Sequence, residues 1–168
     1  TDDAVACVNA AEAAFEGWAA LSPRERGEIL RKAYELFIKQ IDDIAQLITL
    51  ENGKAGGDAI GEARYAAEFF RWYAEEAVRS DGHLGMAPAT GARILVHQKP
   101  AGISVLVTPW NYPAAMGTRK IGPALAAGCP VIVKPASETP LTMLALMPIL
   151  SEAGVPPGVV NVLPSRSS

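Results

Sequence analysis

Cysteine is scarce in this sequence, and its two copies do not suggest a site. Cys7 and Cys129 lie on quite different segments and form no CxxC pair. A disulfide framework or a zinc site needs more cysteines at closer spacing. We therefore expect both thiols to be structural, no metal site, and a reducing, cytoplasmic setting.

Long apolar runs and an excess of basic charge are also missing. The longest apolar stretches, such as Ile103–Val107, fall far short of the ~20 residues that cross a bilayer, and residues 1–10 are acidic rather than basic and then apolar. We expect no membrane span and no signal peptide. Because 15 Lys and Arg are scattered among 18 Asp and Glu, no nucleic-acid surface is expected either.

What the sequence does contain is a helical first half. Hydrophobic residues make up 49% of the 168, which is enough for a real core. Ser22 and Glu25 form a capping box around Pro23, and Asn52-Gly53 is a helix end. Apolar residues at helical spacing predict four helices, which cover about Asp2–Leu21, a segment from Pro23, Asp42–Glu51 and Asp58–Arg79.

The second half alternates strands and helices. Arg93–Lys99 has the polar–apolar alternation of a strand, and Ile103–Val107 is a β-branched run typical of a strand buried on both faces. A β-α-β-α-β order then follows, with helices at about Met116–Ala127 and Leu141–Ala153 and strands at Val131–Lys134 and Val159–Leu163. This predicts an α/β fold with parallel strands, whose ligands bind at the carboxyl ends of the strands.

Two strand ends carry polar groups suited to chemistry. After Val107 the chain reads Thr108-Pro109-Trp110-Asn111-Tyr112-Pro113, in which prolines flank an amide. A fixed amide can stabilise an oxyanion. The alternative is that Asn111 bonds only to local backbone, which is the more frequent role of a loop Asn.

The second strand end reads Lys134-Pro135-Ala136-Ser137-Glu138-Thr139-Pro140. Lys134 and Ser137 could contact the ribose and phosphate of a nucleotide. Alternatively, Lys134 is solvated and Ser137 or Thr139 is the N-cap of the next helix. Neither GxGxxG nor GxxxxGK[ST] occurs, so a nucleotide would have to be bound in another way.

Three motifs together resemble one family. They are Pro109–Pro113, Arg119–Gly128 and Lys134–Pro140, and in this order and spacing the chain closely resembles the aldehyde dehydrogenase superfamily. Leu50–Lys54 resembles a helix end of the same family, so the resemblance covers nearly the whole chain. It implies a helical part over residues 1–92, an oligomerisation strand and turn over 93–102, and an incomplete Rossmann-like cofactor-binding sheet over 103–168.

The resemblance also implies roles for individual residues. Asn111 matches the amide that stabilises the oxyanion of a thiohemiacetal. The cofactor is expected beside Thr108, Pro109, Trp110 and Asn111, and beside Lys134, Pro135, Ala136 and Ser137.

The cofactor preference is expected to depend on Ser137. Family members that depend on NAD usually carry a Glu at this position, which would repel a 2'-phosphate, so the neutral Ser137 favours NADP. Glu138 could take the ribose role if the loop were shifted, which leaves NAD open.

Arg119 and Lys120 are similar to a substrate-binding Arg of the succinate-semialdehyde branch and to a Lys linked to proton relay. The alternative for both is charge balance on a helix surface. With Arg119 holding the far carboxylate, the parent protein is expected to oxidise succinate semialdehyde with NADP.

The family reaction also needs a thiolate nucleophile and a carboxylate base, which are expected beyond Ser168. The resemblance thus implies the amino-terminal part of a longer enzyme, inactive by itself and less stable alone, whose parent is a homodimer or homotetramer. The alternatives are an enzyme for another aldehyde, or a non-catalytic module that binds cofactor or oligomerises.

Overall fold

The predicted helices are present in the computed structural model, which describes residues 2–165. Residues 166–168, the end of the predicted cofactor-binding segment, lie outside the described residues. Four helices form the first half, namely α1 (Asp2–Ala20), α2 (Pro23–Lys39), α3 (Ile41–Asn52) and α4 (Gly56–Glu76), and a 3-10 turn at Ala77–Arg79 extends the last. No helix within the described range is both long and apolar enough to span a membrane.

Two of the predicted helix boundaries have the local structure that the sequence indicates. The Glu25 amide donates to Ser22 Oγ at 3.2 Å, and the Ser22 amide donates to the Glu25 carboxylate at 2.8 Å, so the capping box that begins α2 is complete. Gly53 ends α3 with φ at +78°, a left-handed conformation that favours glycine.

Helix α4 packs against α2 and α3 through a face of small residues. Five of its alanines are buried: Ala59, Ala63, Ala66, Ala67 and Ala74. Gly27 of α2 also lies in this contact, and a Cβ at Gly27 would come within 2.7 Å of the Ala74 carbonyl oxygen. The backbones of α2 and α4 therefore lie in close contact at Gly27.

One strand of the structure is absent from the sequence-based expectation. Strand β1 (His83–Met86) pairs antiparallel with β2 (Arg93–Val96), which ends three residues before the predicted end at Lys99. The glycines that argue against a helix here also allow close pairing, because a Cβ at Gly82 would lie 2.2 Å from the Val96 oxygen.

The second half folds as the predicted β-α-β-α-β unit. Strands β3 (Ser104–Val107), β4 (Val131–Lys134) and β5 (Val160–Val162) form a parallel sheet in that order, joined by helices α5 (Ala115–Ala126) and α6 (Leu141–Ala153). In the register, Val107 lies opposite Lys134. The carboxyl ends of β3 and β4 are thus adjacent.

The expectation that Ile103–Val107 is buried on both faces is wrong. Val105 and Val107 are 66% and 57% exposed, whereas Leu106 packs against the core. Strand β3 is an edge strand, since it pairs only with β4 within residues 2–165. Val105 and Val107 alternate with Leu106, so they lie on the opposite face of the strand, and that face is open in the described part of the chain.

Glycine substitutions in two helices test the close packing of α4. We predict that Gly27→Ala lowers the free energy of unfolding by about 1–3 kcal/mol, because the added methyl group meets the backbone of Ala74. Gly17→Ala at an exposed position of α1, with no atom near the added methyl, is the matched control and should raise it by about 0.4–1 kcal/mol. Equal effects in urea denaturation of the full-length protein would contradict the packing.

Candidate active site

The two polar strand ends predicted from the sequence lie side by side. The amide of Thr108 donates to the carbonyl oxygen of Lys134 at 3.1 Å, which extends the pairing of β3 and β4 by one bond beyond the strands. The Thr108–Asn111 segment and the Lys134–Ser137 segment therefore leave the sheet side by side, at the edge formed by the carboxyl ends of its strands. This edge is the place where parallel sheets bind ligands.

The first segment presents free polar and aromatic groups. Thr108 is buried, whereas the Trp110 indole is 57% exposed and Asn111 is exposed. Within residues 2–165 no hydrogen bond engages the side-chain amide of Asn111, so the local bonding considered as its alternative is absent there. The Asn111 amide remains available to a ligand.

The second segment combines a cation with a hydroxyl group. Half-buried Lys134 has a single weak contact, 3.4 Å from its Nζ to the Pro135 oxygen, and exposed Ser137 donates from Oγ to the Glu138 carboxylate at 3.1 Å. The ammonium group is thus not neutralised by a carboxylate within 4 Å among the described residues.

The alternative that Ser137 or Thr139 caps α6 is wrong. The N-cap residue is Pro140, which has no capping side chain, and Thr139 Oγ1 is buried without a partner in the described chain. Instead the carboxylate of Glu51, at the end of α3, accepts the amides of Leu141 and Thr142. A remote residue thus provides the cap that the local sequence lacks.

Helix α5 begins in the same way. Its N-cap residue, Ala114, has no capping side chain, and Glu62 Oε1 from α4 accepts the amides of Ala114 at 2.9 Å and Ala115 at 3.3 Å. The Glu62 side chain is fully buried. Both helices that follow the polar strand ends therefore begin on carboxylates of the helical half.

Asn52 and Lys54, which follow Glu51 in the chain, contact the Thr108–Asn111 segment directly. Asn52 Nδ2 donates to the Trp110 carbonyl oxygen at 2.9 Å, and Lys54 Nζ donates to the Asn111 carbonyl oxygen at 3.0 Å. Lys54 also forms an ion pair with Glu62 and lies 3.9 Å from the centre of the Tyr112 ring. Beside this pair a cavity of about 480 Å³ opens between α4 and Tyr112.

The structure places Lys120 at the site and Arg119 beside it. Lys120 Nζ donates to the carbonyl oxygen of Val107, which is the last residue of β3. The exposed Arg119 instead turns to α4, where its guanidinium lies 5.5 Å from the centre of the Phe69 ring and 3.8 Å from Met116 Sδ. Phe69 also lines a second cavity of about 370 Å³ on α4.

The cysteines lie away from this edge. Cys129 precedes β4, so it is at the opposite end of that strand from Lys134, and it is 5% exposed. Cys7 is in α1, and both thiols are free. Residues 2–165 contain no group of three or more His, Cys, Asp or Glu side chains placed to hold a metal ion.

Four residues that contact the site were not predicted to do so: Glu51, Asn52, Lys54 and Glu62. Glu62 did leave a signal, because it lies three residues after Ala59 and four before Ala66 on the apolar stripe of α4. A carboxylate on a buried stripe needs partners. A second indication is that α5 and α6 begin without a capping side chain of their own, so their first amides need an acceptor from elsewhere.

This fold is that of a known family. The model of the "Aldehyde dehydrogenase family" matches residues 1–168, and the chain belongs to that family. The resemblance and the Rossmann-like α/β fold expected from the sequence are thereby confirmed.

Several individual proteins are similar to this chain. A succinate-semialdehyde dehydrogenase of Paenarthrobacter nicotinovorans is 49% identical over all of this chain and 37% of its own length. "Succinate-semialdehyde dehydrogenase [NADP(+)] 1" of Schizosaccharomyces pombe is 48% identical over 95% of this chain and 32% of its own. A crystal structure of an NADP-dependent enzyme of E. coli superposes with a TM-score of 0.95, at 46% identity, over 99% of this chain and 35% of that one. The chain thus spans about a third of these relatives.

Replacing Glu51 tests the remote cap. We predict that Glu51→Gln lowers the free energy of unfolding by about 0.5–2 kcal/mol and speeds hydrogen exchange at the Leu141 and Thr142 amides, because a neutral amide is a weaker acceptor. Glu152→Gln, an exposed carboxylate near the other end of α6, is the control. If both variants exchange like the wild type, Glu51 is not the cap.

Proposed function

We propose that this chain provides the cofactor edge and the oxyanion donor of an enzyme that oxidises succinate semialdehyde to succinate with NADP. The observation that carries the proposal is the hydrogen bond from Thr108 to Lys134, which puts the two polar segments at one sheet edge. Membership of the aldehyde dehydrogenase family supports it.

Asn111 is the proposed oxyanion donor. Its side-chain amide is exposed and has no hydrogen bond within the described residues, while Asn52 at the end of α3 holds the Trp110 carbonyl and Lys54, in the loop before α4, holds the Asn111 carbonyl. A side-chain amide carried on a backbone held in this way can donate to the oxygen on which negative charge develops, an interaction typically worth about 3 kcal/mol in the transition state.

Lys120 is the proposed proton-relay group. Its ammonium group donates to the Val107 carbonyl, which holds it at the end of β3 where the Thr108–Asn111 segment begins. From this position its remaining N–H groups can donate to a neighbouring oxygen, which is the contact that a proton relay needs.

The residues at the second segment fit an NADP molecule. Lys134 supplies an unneutralised cation, Ser137 supplies a neutral hydroxyl, and Pro135 and Ala136 shape the backbone between them. The Leu141 and Thr142 amides at the start of α6 are bonded to Glu51, and Lys134 supplies the charge to offset a 2'-phosphate. When bound, NADP supplies the hydride acceptor.

A preference for NAD is the second candidate, and a specific contact favours it. The Glu138 carboxylate lies 3.1 Å from Ser137 Oγ, where it could accept both ribose hydroxyl groups and repel a 2'-phosphate. The preference between NAD and NADP thus depends on two neighbouring side chains, Ser137 and Glu138.

Arg119 is the proposed carboxylate-binding residue of the substrate site. Its guanidinium is exposed, and the Phe69 ring supports it without neutralising its charge. A guanidinium binds a carboxylate by charge-assisted and potentially bidentate hydrogen bonds. This selects a four-carbon semialdehyde over an uncharged aldehyde.

The parent protein is proposed to supply the thiolate and the carboxylate base, and this chain alone is expected to be inactive. It is also proposed to be a homodimer or homotetramer through the β1–β2 hairpin, where three large apolar residues, Leu84, Met86 and Leu95, are 70%, 61% and 74% exposed. Free cysteines fit a reducing, cytoplasmic setting.

Turnover of charged and uncharged aldehydes tests the substrate. We expect the full-length protein to prefer succinate semialdehyde to butanal, and Arg119→Ala to raise the KM for the semialdehyde about 10- to 100-fold. Butanal is the internal control, because it has no carboxylate for Arg119 to bind. Equal turnover of both aldehydes would exclude succinate semialdehyde as the preferred substrate. If Arg119→Ala raised the KM of both aldehydes equally, Arg119 would not be the carboxylate-binding residue.

A pair of neighbouring substitutions tests the cofactor. Ser137→Glu places a carboxylate where a 2'-phosphate is expected, so it should weaken NADP binding relative to NAD by roughly tenfold or more. Glu138→Gln removes a nearby negative charge and should shift the preference toward NADP. Dissociation constants for both nucleotides measure this, and changes that are the same for NAD and NADP would contradict the assignment.

A further inference from the structure

The hydrogen bonds of the Trp110–Asn111 backbone point to a function for residues outside the site itself. Pro109 and Pro113 fix φ only at their own positions and restrict the residue before each. They leave Trp110 and Asn111 free to rotate. An exposed segment of this kind needs other contacts to hold one conformation.

Those contacts are made to two successive carbonyl groups. Asn52 holds the Trp110 oxygen at 2.9 Å, which orients the peptide unit before Asn111, and Lys54 holds the Asn111 oxygen at 3.0 Å, which orients the unit after it. Because peptide units are planar, fixing both sets φ and ψ of Asn111. The direction of its Cα–Cβ bond is then also set, which limits the positions that the amide reaches through its χ1 and χ2 rotamers.

Lys54 is itself held on a rigid support. Its ammonium group pairs with Glu62, whose fully buried carboxylate also accepts the amides of Ala114 and Ala115 at the start of α5. The Tyr112 ring lies on another side of the same ammonium group, at 3.9 Å. Glu62 therefore ties the Asn111 backbone and the α5 terminus to one point on α4.

A buried ion pair is weak evidence for stability, since apolar side chains of similar volume often serve as well. The geometry of Glu62 and Lys54 indicates instead that they fix the conformation of the backbone to which they bond. Apart from the bond between the two side chains, their hydrogen bonds within residues 2–165 go to the segment that carries the oxyanion donor or to the start of the helix that follows it.

We propose that Lys54 and Glu62, together with Asn52, are positioning residues that aim the Asn111 amide at the reacting oxygen. This inference rests on the proposed role of Asn111 as oxyanion donor. The three residues act through Asn111 and touch neither substrate nor cofactor in the proposal.

The test uses the full-length protein that contains this chain. The main variant is Lys54→Met with Glu62→Gln, because glutamine still accepts the α5 amides and no unpaired charge is left buried. We expect kcat to fall about 100-fold, the effect of a small misplacement of a reacting group. Nucleotide dissociation constants should stay within about twofold of wild type, and hydrogen exchange at residues 110–112 should be faster in the nucleotide-free protein.

Coupling to Asn111 separates positioning from a general structural effect. Asn111→Ala alone should lower kcat about 100- to 1,000-fold, and adding it to the main variant should cost little more, because both changes remove one interaction. The matched control is Arg31→Met with Glu28→Gln, which removes the exposed ion pairs of Arg31 with Glu28 and Glu35 on α2 and should leave kcat unchanged.

Each contrary result has a distinct meaning. Unchanged kcat in the main variant, unchanged exchange at 110–112, or additive effects with Asn111→Ala would overturn the positioning proposal alone. A wild-type protein without aldehyde turnover, or an active Asn111→Ala variant, would overturn the proposed function and with it the purpose of the positioning residues. If the main variant does not fold, Asn52→Ala removes one tether without touching the buried pair, and the same coupling and exchange measurements decide.

Discussion

The structure of the site depends on one constraint: the sheet stops pairing just where the polar segments begin. The last backbone bond between the two strand ends joins Thr108 to Lys134, and the helices that follow begin with no capping side chain of their own. The first amides of a helix have no acceptor within the helix and need one from elsewhere. Glu62 and Glu51 satisfy them from the helical half, which makes that half a support for the site rather than a separate unit.

This support determines which groups remain for a ligand. The amides at the start of α5 and α6 are taken by carboxylates, so they are not open to an anion in the way that helix N-termini often are. Asn111, Lys134 and Ser137 remain exposed or partly exposed at the same edge. An anionic cofactor would therefore contact side chains here, which agrees with the absence of a glycine-rich phosphate motif.

The sequence predicts well those features that local rules determine. The capping box at Ser22, the left-handed Gly53 and the parallel β-α-β-α-β order all follow from residues close together in the chain, and the structure confirms them. Strand β1 was missed because its glycines serve close pairing as well as turns. The caps of α5 and α6 were missed because Glu62 and Glu51 lie 52 and 90 residues from the amides they accept, and no local pattern specifies such a partner. The burial of Val105 and Val107 was overestimated, since a β-branched run does not reveal whether another element covers both faces of the strand.

The most direct test of the whole account is a crystal structure of the full-length protein with NADP bound. We expect the 2'-phosphate beside Lys134 and Ser137, and the nicotinamide end on the side of Trp110 and Asn111. A nucleotide bound away from these two segments, at any other edge of the protein, would contradict it.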